Sequence, residues 1–202
     1  MTETTSLIYR SAQGYELVMR VLYGRHYLDR MRAVAHEVPQ NASVLELCCG
    51  PGTLYHRFLE QRTSSYIGID VNPRFVEPLQ AKGVDARHQD LNRPDPLPEA
   101  DVALIHASLY HFLPDPSPLI DRMLAAARDR VIIAEPIRNL AQSNLPLVSR
   151  LGRRAADPGT GGHEDRFTEE SLAALMARYE DRVLKSFPIP GGREQVYVLR
   201  GG

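Results

Sequence analysis

The sequence predicts an α/β domain built on a mostly parallel sheet with helices on both faces, and three observations carry that prediction. Short, nearly continuous apolar runs at residues 44–47, 66–69, 102–105 and 131–134 alternate with stretches of helical periodicity, the pattern of strands buried on both faces by crossover helices. The first run passes through Cys48-Cys49-Gly50-Pro51-Gly52 into a helix; glycine there lets the backbone take positive φ and lets a ligand lie against the main chain. At 202 residues the chain suits one domain, and a chain of this length buries roughly 70% of its unfolded surface, enough for a three-layer core.

The elements follow in order. Leu17, Val18, Val21, Leu22, Leu28, Met31, Val34, Ala35 and Val38 recur at three- and four-residue intervals with a break near Gly24, which predicts two helices before the first strand. Pro39-Gln40-Asn41 turns into strand one, 43 to 48, and a helix over 52 to 62 leads to strand two, 66 to 70. Asn72-Pro73 opens a helix carrying Phe75, Val76 and Leu79, with proline at its favoured first position. Strand three is expected at 84 to 88, ending near Asp90; the proline-rich 93 to 98 then returns the chain to strand four, 101 to 106. A helix from Pro116 or Ser117, with Leu119, Ile120, Met123 and Leu124, leads to strand five, 131 to 135. After a long connection, helix 168 to 179 precedes strands at 182 to 187 and 195 to 200. The turn Pro188-Ile189-Pro190-Gly191-Gly192 makes the last strand antiparallel to its neighbour.

The loop after strand one reads as a ligand site whose charge selects the ligand. Glu46 at its entrance repels a pyrophosphate and attracts an ammonium group, despite the phosphate affinity of a helix N-terminus. Tyr55 stands where the dinucleotide fingerprint requires a third glycine, so a nicotinamide oxidoreductase is disfavoured. The string Glu46-Leu47-Cys48-Cys49-Gly50-Pro51-Gly52 resembles motif I of the class I S-adenosylmethionine-dependent methyltransferases, and its Cys-Cys-Gly-x-Gly form is similar to the ubiquinone and menaquinone C-methyltransferase branch. Cys48 departs from the usual first glycine. The likeness extends over about residues 42 to 200.

That resemblance implies a Rossmann-like three-layer sandwich with a seven-stranded, mostly parallel sheet and one antiparallel strand near the edge. It implies S-adenosyl-L-methionine as cofactor, with Glu46, Cys48, Gly50 and Gly52 around its amino-acid end. Asp70 and Val71 fall at the ribose, Asp90 and Leu91 at the adenine edge, and His106 borders the methionine part. Asp70 suits its role chemically, because two carboxylate oxygens accept from two ribose hydroxyls. Asp90 reads equally as an Asx turn, and Asp70 as a cap of the following helix. Residues 108 to 116 resemble the family's His-His-Phe segment, which makes His111 a catalytic candidate by its pKa near neutrality. Tyr15 in Tyr15-Glu16 resembles an N-terminal Tyr-Asp pair near the reactive methyl and is the second catalytic candidate. Residues 1–40 are expected to form a helical lid and 136–167 a substrate-side connection; His163 in that connection and Glu135 at the end of strand five are candidates to face the acceptor, with a surface loop and strand-end packing as their structural readings.

Composition removes other function classes. The formal net charge is −1, from 24 basic and 25 acidic residues spread along the chain, so nucleic acid and membrane surfaces are not expected partners. The start MTETTSLIYR lacks a secretory signal, and no run approaches the ~20 apolar residues of a membrane span, which predicts a cytoplasmic protein. Two adjacent cysteines cannot form an ordinary disulfide and read as reduced thiols. The seven histidines lack metal-site spacing, so no metal is assigned. The expected partner is a small-molecule methyl acceptor; oligomeric state is not legible. A domain that binds the cofactor without transferring methyl is the rival reading.

Overall fold

The computed structural model describes residues 19–21, 23–137 and 166–202. Its centre is a seven-stranded sheet of order β3-β2-β1-β4-β5-β7-β6. The strands are β1 (Ser43–Leu47), β2 (Ser65–Asp70), β3 (Ala86–His88), β4 (Ala100–His106), β5 (Ala127–Pro136), β6 (Val183–Pro188) and β7 (Glu194–Arg200). The first five are parallel; β7 inserts between β5 and β6 and runs antiparallel to both. The hairpin turn at Gly191 and Gly192, both at positive φ, sets that reversal. The Rossmann-like architecture expected from the sequence is the one observed.

Helices α1 (Tyr27–His36) and α2 (Pro73–Gln80) lie on one face, α3 (Ser117–Ala126) and α4 (Glu169–Met176) on the other. Strand alternation divides the core accordingly. Leu45, Leu47, Ala103, Ile105, Val131 and Ile133 pack with Leu119, Ile120, Met123, Leu172 and Met176 of α3 and α4. Val44, Val102, Leu104, Ile132, Val196 and Val198 pack with Tyr27, Met31, Val34 and Ala35 of α1. Asn72 caps α2 through the Arg74 amide, with Pro73 at the first position. Thr168 and Ser171 form a reciprocal capping box on α4, a local device that satisfies two otherwise unpaired amides.

Several boundaries differ from expectation. The helix expected over 52 to 62 is wound as a π turn at Tyr55–Leu59, the wide form that tends to mark functional positions. Strand five begins earlier, at Ala127, because its first residues pair with Ala100 and Val102 of β4. The helix expected to reach Tyr179 narrows to a 3₁₀ turn over Ala177–Arg182. Most of the lid 1–40 before α1, and nearly all of 136–167, lie outside the described residues. No described helix is long and apolar enough to cross a membrane.

Candidate functional site

The parallel strands end together at one edge of the sheet, where backbone strain concentrates. Cys48 (φ 54), Gly50 (φ 54) and Gly52 (φ 72) alternate in the left-handed region, and Ala107 after β4 joins them at φ 54. For Cys48 and Ala107 this costs about 1–2 kcal/mol each. The two glycines serve different ends. A Cβ on Gly52 would lie 2.7 Å from Leu79 of α2, whereas a Cβ on Gly50 would meet nothing. Gly52 therefore permits close packing, and Gly50 leaves open space over the main chain.

Asp70 ends β2 directly beneath this loop. Its Oδ2 accepts the Gly50 amide and its Oδ1 the Asn72 amide, each at 2.8 Å. With the Val71 amide also contributing, these bonds still leave part of the acceptor capacity of a carboxylate, about four lone-pair sites, unused. Burial raises the Asp70 pKa, against the Asn72 and Gly50 bonds that pull it down. Val71, the next residue, is 44% exposed, an apolar side chain uncovered beside an acid. Open main chain, a carboxylate with acceptor capacity and an apolar neighbour fit a nucleoside carrying an amino-acid tail.

Glu46 departs from the expected picture. It is 4% exposed and accepts the Tyr66 hydroxyl at 2.7 Å; the Tyr66 ring in turn stacks on Tyr55 at 4.1 Å. Burial pushes its carboxyl up to about 8, with the Tyr66 bond opposing and the Asp70 charge adding. An ionised gateway that selects an ammonium group is thus not what this geometry presents: near neutrality Glu46 is mostly protonated. Tyr55, read from the sequence as an obstacle to dinucleotides, stacks on the tyrosine that holds that carboxyl.

The other candidates separate. Asp90 is exposed and its Oδ1 accepts the backbone and side-chain N–H groups of Asn92, an Asx turn. Leu91 is buried with the α3 side of the core. Cys48 and Cys49 are free thiols, and burial raises both. His111 sits in the 3₁₀ turn Leu109–Phe112 with its ring 4.0 Å from that of Tyr110. Glu135 is fully buried at the end of β5, its Oε1 accepting the Ser108 amide at 2.6 Å and the Leu109 amide at 2.5 Å. It thereby secures the turn after β4. Burial pushes it up to about 8 against those two bonds. Tyr15 and His163 lie outside the described residues.

A cluster that sequence reasoning missed joins β4, β7 and α1. Arg30 Nε donates to Glu194 Oε1 at 2.7 Å, and His106 Nε2 lies 3.1 Å from Glu194 Oε2, with side-chain exposures of 3%, 1% and 7% for Arg30, Glu194 and His106. The Arg30 guanidinium also lies 4.0 Å from the Tyr23 ring centroid. Burial pushes the Glu194 carboxyl up, but Arg30 and then His106 outweigh it and hold it at about 2. Burial and then the Arg30 charge lower the His106 pKa, against Glu194. A carboxylate can only accept, so Nε2 carries the proton shared with Glu194. A signal existed: Arg30 interrupts the apolar face formed by Tyr27, Met31 and Val34.

Residues 44–131 match the family model described as a methyltransferase domain. Trans-aconitate 2-methyltransferase of Mycobacterium tuberculosis is 34% identical over 116 residues, which is 56% of this chain and 38% of that protein. The chain thus covers under half the length of that relative. Among solved structures, one from Thermotoga maritima, described as an S-adenosylmethionine-dependent methyltransferase and possible histamine N-methyltransferase, aligns at TM-score 0.66 with 16% identity. That alignment covers 96% of this chain and 98% of the other. Magnesium protoporphyrin IX methyltransferase from Synechocystis PCC 6803, solved with bound S-adenosylhomocysteine, aligns at TM-score 0.63 with 15% identity over 96% and 97% of the two chains. The fold is that of the Rossmann-like methyltransferases.

Proposed function

We propose that this protein binds S-adenosyl-L-methionine against the loop between β1 and the π turn and transfers its methyl group to a small-molecule acceptor at oxygen, nitrogen or carbon. The observation that carries the reading is Asp70, held by the Gly50 and Asn72 amides with acceptor capacity remaining, beneath a glycine with open space above it. The cofactor, when bound, supplies a methyl group already activated on a sulfonium.

The chain's own residues then have to bind, align and exclude water. Asp70 receives the ribose hydroxyls, Val71 offers an apolar surface to the base, and Gly50 allows the main chain to approach the amino-acid end. Cys48 lies at the start of that cradle. Alignment is the larger contribution, because effective molarities of 10⁵–10⁸ M correspond to roughly 7–11 kcal/mol.

The acceptor is a separate question. The Cys-Cys-Gly-x-Gly string favours the quinone C-methyltransferase branch, whereas the relatives' names favour an organic acid; we keep the class at small molecule. Two free thiols suit a reducing cytoplasm. Calorimetric titration of S-adenosylmethionine tests the proposal: we expect saturable binding to the wild-type protein and marked weakening in Asp70→Ala. No binding, or equal binding by both proteins, refutes it.

A further inference from the structure

His106 occupies a place with chemical consequences. It is the last residue of β4, paired with Ala134 of β5, and Leu47 pairs with Ile105, so His106 comes level with Cys48 where the candidate cofactor loop begins. Ala107 at φ 54 then turns the chain away. Among the described residues the ring's hydrogen bond runs through Nε2 to Glu194, and Nδ1 makes none. Glu194 is held from its other side by Arg30 at 2.7 Å. A histidine oriented through one nitrogen by a carboxylate, with the second nitrogen available, is the arrangement of an oriented general base.

Building on the S-adenosylmethionine reading above, we propose that His106 Nδ1 takes the proton released by the methyl acceptor, with Glu194 and Arg30 as its positioning residues. The acceptor class follows: a compound whose nucleophile, or conjugated hydroxyl, carries an O–H or N–H proton, rather than a carboxylate. In the step, the O–H or N–H proton passes to Nδ1 while the acceptor's electron pair bonds the methyl carbon; the carbon–sulfur pair stays on sulfur. The imidazolium formed lies against the Glu194 carboxylate and returns its proton to water. Burial and then the Arg30 charge disfavour a proton on Nδ1 of the free ring, against the Glu194 carboxylate.

The test reads the ring itself. Long-range proton–nitrogen NMR spectra of the cofactor-free, wild-type protein at pH 7, with His106 assigned through its backbone, are expected to show a neutral ring protonated at Nε2 and bare at Nδ1. In Glu194→Gln this tautomer preference weakens. A charged ring, or one protonated at Nδ1, overturns the proposal. Turnover gives a second arm, with a labelled-methyl donor and a panel of phenols, alcohols, amines and carboxylic acids. With the donor saturating, transfer to O–H or N–H acceptors by His106→Gln is expected to fall about 10²-fold or more. Wild-type turnover confined to carboxylic acids, or undiminished turnover in His106→Gln at saturating donor, overturns it. Failure of the wild-type protein to bind the cofactor refutes the broader reading instead, and the tautomer measurement distinguishes the two.

Discussion

Glu46 and Glu194 lie on the same face of the sheet, both almost wholly buried, yet one carboxyl titrates at about 8 and the other at about 2. Glu46 accepts from a neutral hydroxyl, and desolvation wins. Glu194 has a guanidinium on one oxygen and an imidazole on the other, and the partners win. The difference teaches that the charge of an acid near this sheet edge is decided by what other elements bring to it. Glu194 is supplied by α1 and β4, residues far away in the chain. Glu46 is capped by Tyr66, one strand over, which is polar enough to satisfy it and too weakly polarising to ionise it.

The sharpest way to break this contrast is to take Arg30 away. Arg30→Met leaves Glu194 buried without its cation, and we expect a loss of about 3–5 kcal/mol in urea unfolding. Adding Glu194→Gln should restore much of that loss; a single variant within about 1 kcal/mol of wild type would show that Arg30 is not what holds Glu194 ionised. Asp70→Ala comes next. Hydrogen bonds to a charged group contribute about 1.5–3 kcal/mol each, so removing the ribose partner should weaken S-adenosylmethionine at least about tenfold by calorimetry.

Gly52→Ala tests the loop that follows the strand carrying Glu46. Its Cβ would lie 2.7 Å from Leu79, and overpacking of this kind costs about 1–3 kcal/mol, read as a lower Tm with α2 displaced. The equivalent change at Gly50, with open space above it, should disturb packing less and ligand binding more. The smallest effect sharpens the comparison by pH. Glu46 is raised from 4.5 to about 8, so its contribution to stability is present below pH 4.5 and is lost as pH rises through 8. Glu46→Gln cannot titrate, and its Tm relative to wild type should therefore climb between pH 5 and pH 9, by about 2–4 °C per kcal/mol relieved. Glu194 runs the opposite way: its contribution is present above pH 4.5 and fades as pH falls through 2. A flat difference for Glu46→Gln would mean that Glu46 ionises in place.

Much of this was legible from local pattern. Near-continuous apolar strands, the Gly-rich turn after β1 and the glycine pair before β7 predicted a mostly parallel sheet with an antiparallel last strand. Each of those signals is carried by a few adjacent residues. Asp70 was legible as a strand-end acid because its partners, Gly50 and Asn72, lie in the loops that strand ends create. The state of Glu46 was not legible. Its charge depends on Tyr66 and on the π turn, and both emerge from packing between elements. Asp90 showed how an acid at a strand end can be occupied locally, by Asn92 two residues on.

From its sequence alone this chain declares a sheet, its crossovers, a glycine cradle and an acid at the end of β2, because period, turn chemistry and residue size act over a handful of neighbours. Only the folded molecule brings Arg30, His106 and Glu194 within hydrogen-bond reach across 164 and 88 positions of chain. Protonation follows burial and proximity, which are properties of the assembled layers. Which carboxyl carries charge, and which nitrogen of His106 carries the proton, was therefore decided by tertiary structure.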